Sequence, residues 1–173
     1  MGFTAAGILH TTVSNESSAG ADDASQLAPL GFILTVPDGD NGVQEWVYIK
    51  NGGTTALRGA DSGAGADYDA VELTTAYTMF LAQRGYTASA VAGKIMGVAQ
   101  HEIGRNGYGF VLRKGKGKVT TNGTVAQGEC FKIAAAGQVA DFGTDAASII
   151  GMALAGDSGS SAVVDAYIDC NAG

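Results

Sequence analysis

Four residues near the C-terminal end, Gly156-Asp157-Ser158-Gly159, are of the types that could do covalent chemistry. A serine flanked by small residues can present its hydroxyl beside backbone N–H groups that would stabilise an oxyanion. Such a serine needs a histidine base, and the chain holds only His10 and His101. His10 lies in a small, polar N-terminal stretch. His101 would have to recruit an aspartate from the middle of the chain. A hairpin loop between Ala153-Leu154 and Ala162-Val163 is the simpler use of these residues in a glycine-rich chain. Asp38-Gly39-Asp40-Asn41-Gly42 gathers two carboxylates and an amide that could hold Ca²⁺. It lacks the ligand spacing and distal glutamate of an EF-hand, and reads as a turn. The same holds for Asp61, Asp67 and Asp69. The two histidines have no partner at i+3 or i+4, so no transition-metal site is expected. The glycines of Gly104–Gly109 come without a Walker lysine or a strand-to-helix context, so no phosphate cradle and no cofactor is expected. Trp46 and Tyr48 alternate on one strand and share a face. That face could stack a sugar or fill a core.

The elements that would carry these groups read as strands. Phe32–Val36 ends at Pro37, the Asp38–Gly42 turn follows, and Gln44–Lys50 returns, which makes a hairpin. From Asp69 to Arg84 the apolar residues fit neither period, and strand and short helix both stay open. Strands are expected at Lys94–Gln100, Tyr108–Arg113, Lys116–Thr121, Glu129–Ala134, Gln138–Phe142, Ser148–Leu154 and Ser161–Ile168. Asn-Gly or glycine turns separate them. This spacing predicts an all-β fold, a single compact β-barrel or β-sandwich of the jelly-roll kind, over residues 29–173. Residues 1–28, small and polar apart from Phe3, Ile8, Leu9 and Val13, are expected to form an extended N-terminal arm.

The chain has 173 residues, of which 27 are glycine and only two proline, and 16% are charged. Collagen-like order and intrinsic disorder are both excluded by this composition. No apolar run is long enough to span a bilayer, so no membrane partner is expected. A net charge of −7 argues against general nucleic-acid binding. The low charge suits a surface that meets other subunits. Five basic residues, Arg105, Arg113, Lys114, Lys116 and Lys118, fall in one stretch without an acid. They read either as a docking strip for an acidic protein surface or as lysines guarding a strand edge. Cys130 and Cys170 allow one disulfide or two thiols. With no signal-peptide pattern at the start, a reducing cytoplasm and free thiols are expected.

The Gly156–Gly159 string is similar to the nucleophile loop of chymotrypsin-like serine proteases. That family usually places glycine where this chain has Ser160, and fifteen residues after Ser158 are too few to complete its barrel. A second resemblance covers far more of the chain, from about residue 30 to 170. Gly97-Val98-Ala99-Gln100, followed by Ile103 and Tyr108-Gly109-Phe110-Val111, resembles a stretch of the small head proteins of tailed bacteriophages. Gly117-Lys118-Val119, Asn122–Gly128 and Ile150-Gly151-Met152-Ala153-Leu154 resemble later strings of the same group. Glu45–Gly52, with Trp46, Tyr48, Ile49 and Lys50, resembles an earlier one.

The resemblance implies a capsid decoration, or cement, protein. It would be a non-enzymatic virion component, made in the host cytoplasm, that sits on the outer surface of an icosahedral head and clamps neighbouring major capsid subunits. Its implied partners are the major capsid protein and itself, as a homotrimer. Phe3, Ile8, Leu9, Arg113, Lys114, Lys116 and Lys118 are the expected contact residues. The alternative is a head fibre, spike or carbohydrate-binding β module for host attachment, using Trp46 and Tyr48.

Overall fold

β-Branched and aromatic residues, interrupted by glycine and Asn-Gly turns, dictate short strands throughout the chain. A computed structural model describes residues 26–60, 67–74, 78–85, 94–143 and 149–170. Phe3, Ile8, Leu9 and nearly all of the arm expected over residues 1–28 lie outside the described residues. Ten strands follow in chain order: β1 (Ile33–Pro37), β2 (Val43–Asn51), β3 (Ala70–Leu73), β4 (Leu81–Arg84), β5 (Ile95–Val98), β6 (Tyr108–Asn122), β7 (Cys130–Ile133), β8 (Val139–Asp141), β9 (Gly151–Ala153) and β10 (Ser160–Asp169). Among the described residues there is no α-helix. The fold is all-β, as the turn chemistry predicts.

All ten strands join one sheet, in the order β1-β2-β4-β3-β5-β6-β10-β9-β7-β8, with further pairings of β2 and β8 to β6. These extra pairings close two five-membered circuits that share β6: β2-β4-β3-β5-β6 and β6-β10-β9-β7-β8. Each circuit has a weak seam. β5 meets β6 only at Val98–Leu112, and β8 meets β6 only at Thr121–Val139. The result is a continuous, twice-closed sheet and not a clear barrel.

The expected β1–β2 hairpin is present, with Ile33 opposite Val47 and Pro37 opposite Val43. The stretch left open at 69–84 is a strand pair, Val71 opposite Arg84. Where a break is expected near Gly115, β6 instead continues for 15 residues. A bulge between Leu112 and Lys114 and a positive φ of +117° at Gly115 bend the strand without ending it. A side chain at 115 would press its Cβ to 2.9 Å from the Val43 carbonyl oxygen.

Two apolar clusters fill the molecule. The smaller gathers Val47, Ile49, Leu57, Val71, Ala82, Ala99, Ile103 and Val111 from the first circuit. The larger runs through both, joining Trp46, Tyr48, Phe110 and Leu112 to Val119, Phe131, Ile133, Val164 and Ile168. Trp46 is 7% exposed and Tyr48 fully buried, so this pair is core and not a sugar platform. Tyr48 packs on Phe110, its cross-strand partner, at 5.0 Å between ring centres.

Candidate interaction surface

The serine-nucleophile reading fails on geometry. Asp157 turns its carboxylate inward, accepting the Thr121 hydroxyl at 2.8 Å and the Gly159 N–H at 3.0 Å. This is an Asx turn that closes the β9–β10 connection. His101 is buried, with its ring beside Gly109 and its backbone against Gly59. Gly109 and Thr121 stand twelve residues apart on β6, about 40 Å of extended strand. Ser158 and His101 are therefore positioned by opposite ends of β6. Cys130 and Cys170 are both free. Among the described residues, no cluster of three or more His, Cys, Asp or Glu could hold a metal ion.

The basic stretch separates into parts. Arg105 is exposed at a turn, away from the rest. Arg113, at the bulge, accepts the Cys170 N–H on its carbonyl at 3.0 Å. Its side chain lines a cavity of about 260 Å³ with Val47, Met79, Phe80, Ile95, Met96 and Cys170. Lys114, Lys116 and Lys118 alternate with Gly115, Gly117 and Val119 and so project together from one face of β6. The side between them is core: a Cβ on Gly117 would lie 2.5 Å from Leu112 Cδ2 and 3.1 Å from Ile168 Cδ1.

Strand β10 places acids opposite these lysines. The register sets Lys114 against Asp169, Lys116 against Tyr167 and Lys118 against Asp165. Lys118 Nζ is 3.2 Å from Asp165 Oδ1, and Lys114 Nζ 3.7 Å from Asp169 Oδ2. Glu45 of β2 faces Lys114 from the other side. The strip is thus one column of a charge ladder, half neutralised in place. Sequence reading missed this because its acids lie some fifty residues downstream. The signal was present as the alternation Val163, Asp165, Tyr167, Asp169, the outward set of a half-buried strand.

Beside the lysine column runs an open groove of about 390 Å³, bounded by Asp38, Asn41, Gln44, Trp46, Lys116 and Lys118. Trp46 Nε1–H donates to Gln44 Oε1 at 3.1 Å, and Lys116 Nζ to Asn41 Oδ1 at 3.3 Å. On the other side of β10, Met152 of β9 stands opposite Tyr167, 39% exposed.

No protein-family model matches the chain, and no curated protein matches it. Among solved structures, the head fibre gp8.5 N base of bacteriophage phi29 is similar in outline. Its TM-score is 0.48 at 9% identity, over 72% of this chain and 95% of that one.

Proposed function

We propose that the chain is a non-enzymatic structural protein of a tailed-phage virion, a decoration protein that binds the outside of the head and clamps neighbouring coat subunits. One arrangement supports this reading. The strings that resemble small phage head proteins are far apart in sequence, yet they fall on adjoining strands. Trp46 of β2 and Val98 of β5 both stand opposite Leu112 of β6. The remaining strings supply the far half of β6, the turn after it, and β9. They are framework, made of glycine turns and buried strands, and bring no reactive group together.

Such a protein works by mass action. A ligand that binds only the assembled lattice stabilises it by RT ln(1 + [L]/Kd), and symmetric copies engaged together multiply the effect. Phe3, Ile8 and Leu9 are the contacts proposed for the coat, and Arg113 with the lysine column of β6 those proposed for a neighbouring subunit. The test is the copy number of this chain in purified virions against the largest coat protein, by quantitative mass spectrometry. About one copy per coat subunit is expected. A few dozen copies per particle would move the assignment to a vertex fibre or spike, and absence from particles would overturn it. Removing residues 1–15 should abolish head occupancy; full occupancy would remove the N-terminal stretch from the contact.

A further inference from the structure

The outward face of β6, β10 and β9 is complementary to itself. Lys114 pairs both with Glu45 of β2 and with Asp169 of β10, so β2 and β10 flank β6 on opposite sides. Across the face the order is therefore groove, lysine column, acid column, then Met152. Its central row reads Lys116, Tyr167, Met152, and Lys118–Asp165 and Lys114–Asp169 lie on either side of it. Tyr167 is 36% and Met152 39% exposed, an apolar centre between charged rows.

We propose that this face docks a second copy of the chain about a two-fold axis that runs parallel to the strands, midway between β6 and β10. That operation exchanges the two columns and keeps every residue at its own height along the strand. Lys114 then faces Asp169 of the other copy, Lys118 faces Asp165, and Lys116 lies over Tyr167. An axis perpendicular to the strands would set lysine against lysine, so the charges choose one orientation. The same operation carries Met152 one strand beyond the lysine column, over the groove floored by Trp46. A thioether is flexible enough to fill such a recess. Knob and hole thus lie at equal distances on either side of the axis, as an isologous contact requires. The pair goes beyond the decoration reading and differs from the trimer implied by the family resemblance.

The experiment is sedimentation equilibrium on the full chain, with mixing. Wild type is expected at twice the 17.4 kDa chain mass. Tyr167→Lys removes the apolar centre and sets an ammonium against Lys116 of the other copy, so it should raise the dimer Kd about thirtyfold or more. Its circular dichroism should match wild type, since the side chain already points outward. The decisive variant exchanges the columns: Lys114→Asp, Lys118→Asp, Asp165→Lys and Asp169→Lys together. It preserves both ion pairs between β6 and β10, and with Glu45→Lys added it also preserves the pairing with β2, so it is expected to dimerise with itself. With tagged wild type it should not mix, because like charges would then face each other. A wild-type monomer or trimer, or free mixing of the two forms, overturns the two-fold pair. Virion copy number is a separate measurement, so failure of the pair and failure of the decoration reading are told apart.

Discussion

Asp69 shows how much one side chain can hold. Its carboxylate is fully buried and accepts the Arg58 N–H at 2.8 Å, Arg58 Nη2 at 3.0 Å and Arg84 Nε at 2.8 Å. Arg58 also pairs with Asp67. Burial pulls the Arg58 pKa down, but Asp69 and Asp67 more than reverse this and raise it, so the guanidinium stays charged. Gly137, with φ at +78°, comes so close that its Cβ would stand 2.6 Å from Asp69 Oδ1. A charge in the first circuit is thereby locked against a turn of the second. Asp69→Asn removes the anion shared by the two guanidinium groups and leaves Arg58 with Asp67 alone. Because Arg58 is 31% exposed and water screens it, the expected cost is about 3 kcal/mol, the lower end for a broken buried pair. The urea midpoint should fall with an unchanged slope. Cys170 behaves in the opposite way. Burial, and then Asp169, push its thiol up to about 12 against a smaller opposing pull from Arg113. Between pH 9 and 12 the folded chain keeps a proton that the unfolded chain has lost, so stability should fall as pH rises through that window. Cys170→Ser should flatten the fall. Alkylation of Cys170 at pH 8, followed by peptide mass spectrometry, should be much faster in guanidinium than in the native protein.

At the scale of elements, β6 depends on side chains that imitate a strand. Gln100 accepts the Lys118 N–H on Oε1 and returns a bond from Nε2 to the Lys118 carbonyl, both at 2.9 Å. Gln44 Nε2 reaches the Lys116 carbonyl at 2.9 Å. These bonds fill the edge of β6 between its contacts with β2 and with β8. Gln100→Ala removes both bonds to Lys118 and should cost about 1 kcal/mol, because water partly replaces them. Hydrogen exchange at the Lys118 amide should accelerate while the amides of Phe110 and Val111 hold; equal acceleration along β6 would contradict this role. The same region marks the limit of what the sequence discloses. Turn chemistry is local, so Asp38–Gly42, Asn106-Gly107 and Asn122-Gly123 could be placed from residue types alone. The bulge at Arg113 is set by β2, seventy residues upstream, and two strands were therefore expected where one bends. Between Asp69 and Arg84 the local pattern was ambiguous because pairing with β5 and β2, not periodicity, decides it. The lysine column was legible and its acids were not, since register is a tertiary property.

The whole molecule hinges on the strand its two circuits share. Each circuit is shut by a single residue pair, Val98–Leu112 and Thr121–Val139, so neither seam can hold a circuit closed by hydrogen bonds alone. Cohesion comes instead from the larger apolar cluster, which passes from Trp46, Tyr48 and Phe110 in one circuit to Ile133, Val164 and Ile168 in the other. Neither circuit can lose this cluster without exposing the other's side of it, and unfolding should be one cooperative event. The chain has a single tryptophan, Trp46, which reports from the first circuit. Ile133 is 2% exposed in the second, on β7. Ile133→Ala leaves a cavity worth about 3 kcal/mol. If the cluster couples the circuits, the urea midpoint of Trp46 fluorescence falls by the full amount and coincides with that of far-ultraviolet circular dichroism. If the circuits are independent, dichroism shifts in part while the Trp46 midpoint stays where it was. Coincidence would also explain why a chain so rich in glycine tolerates weak seams. Its order is carried by side chains that span β6, and the backbone needs only to bring them together.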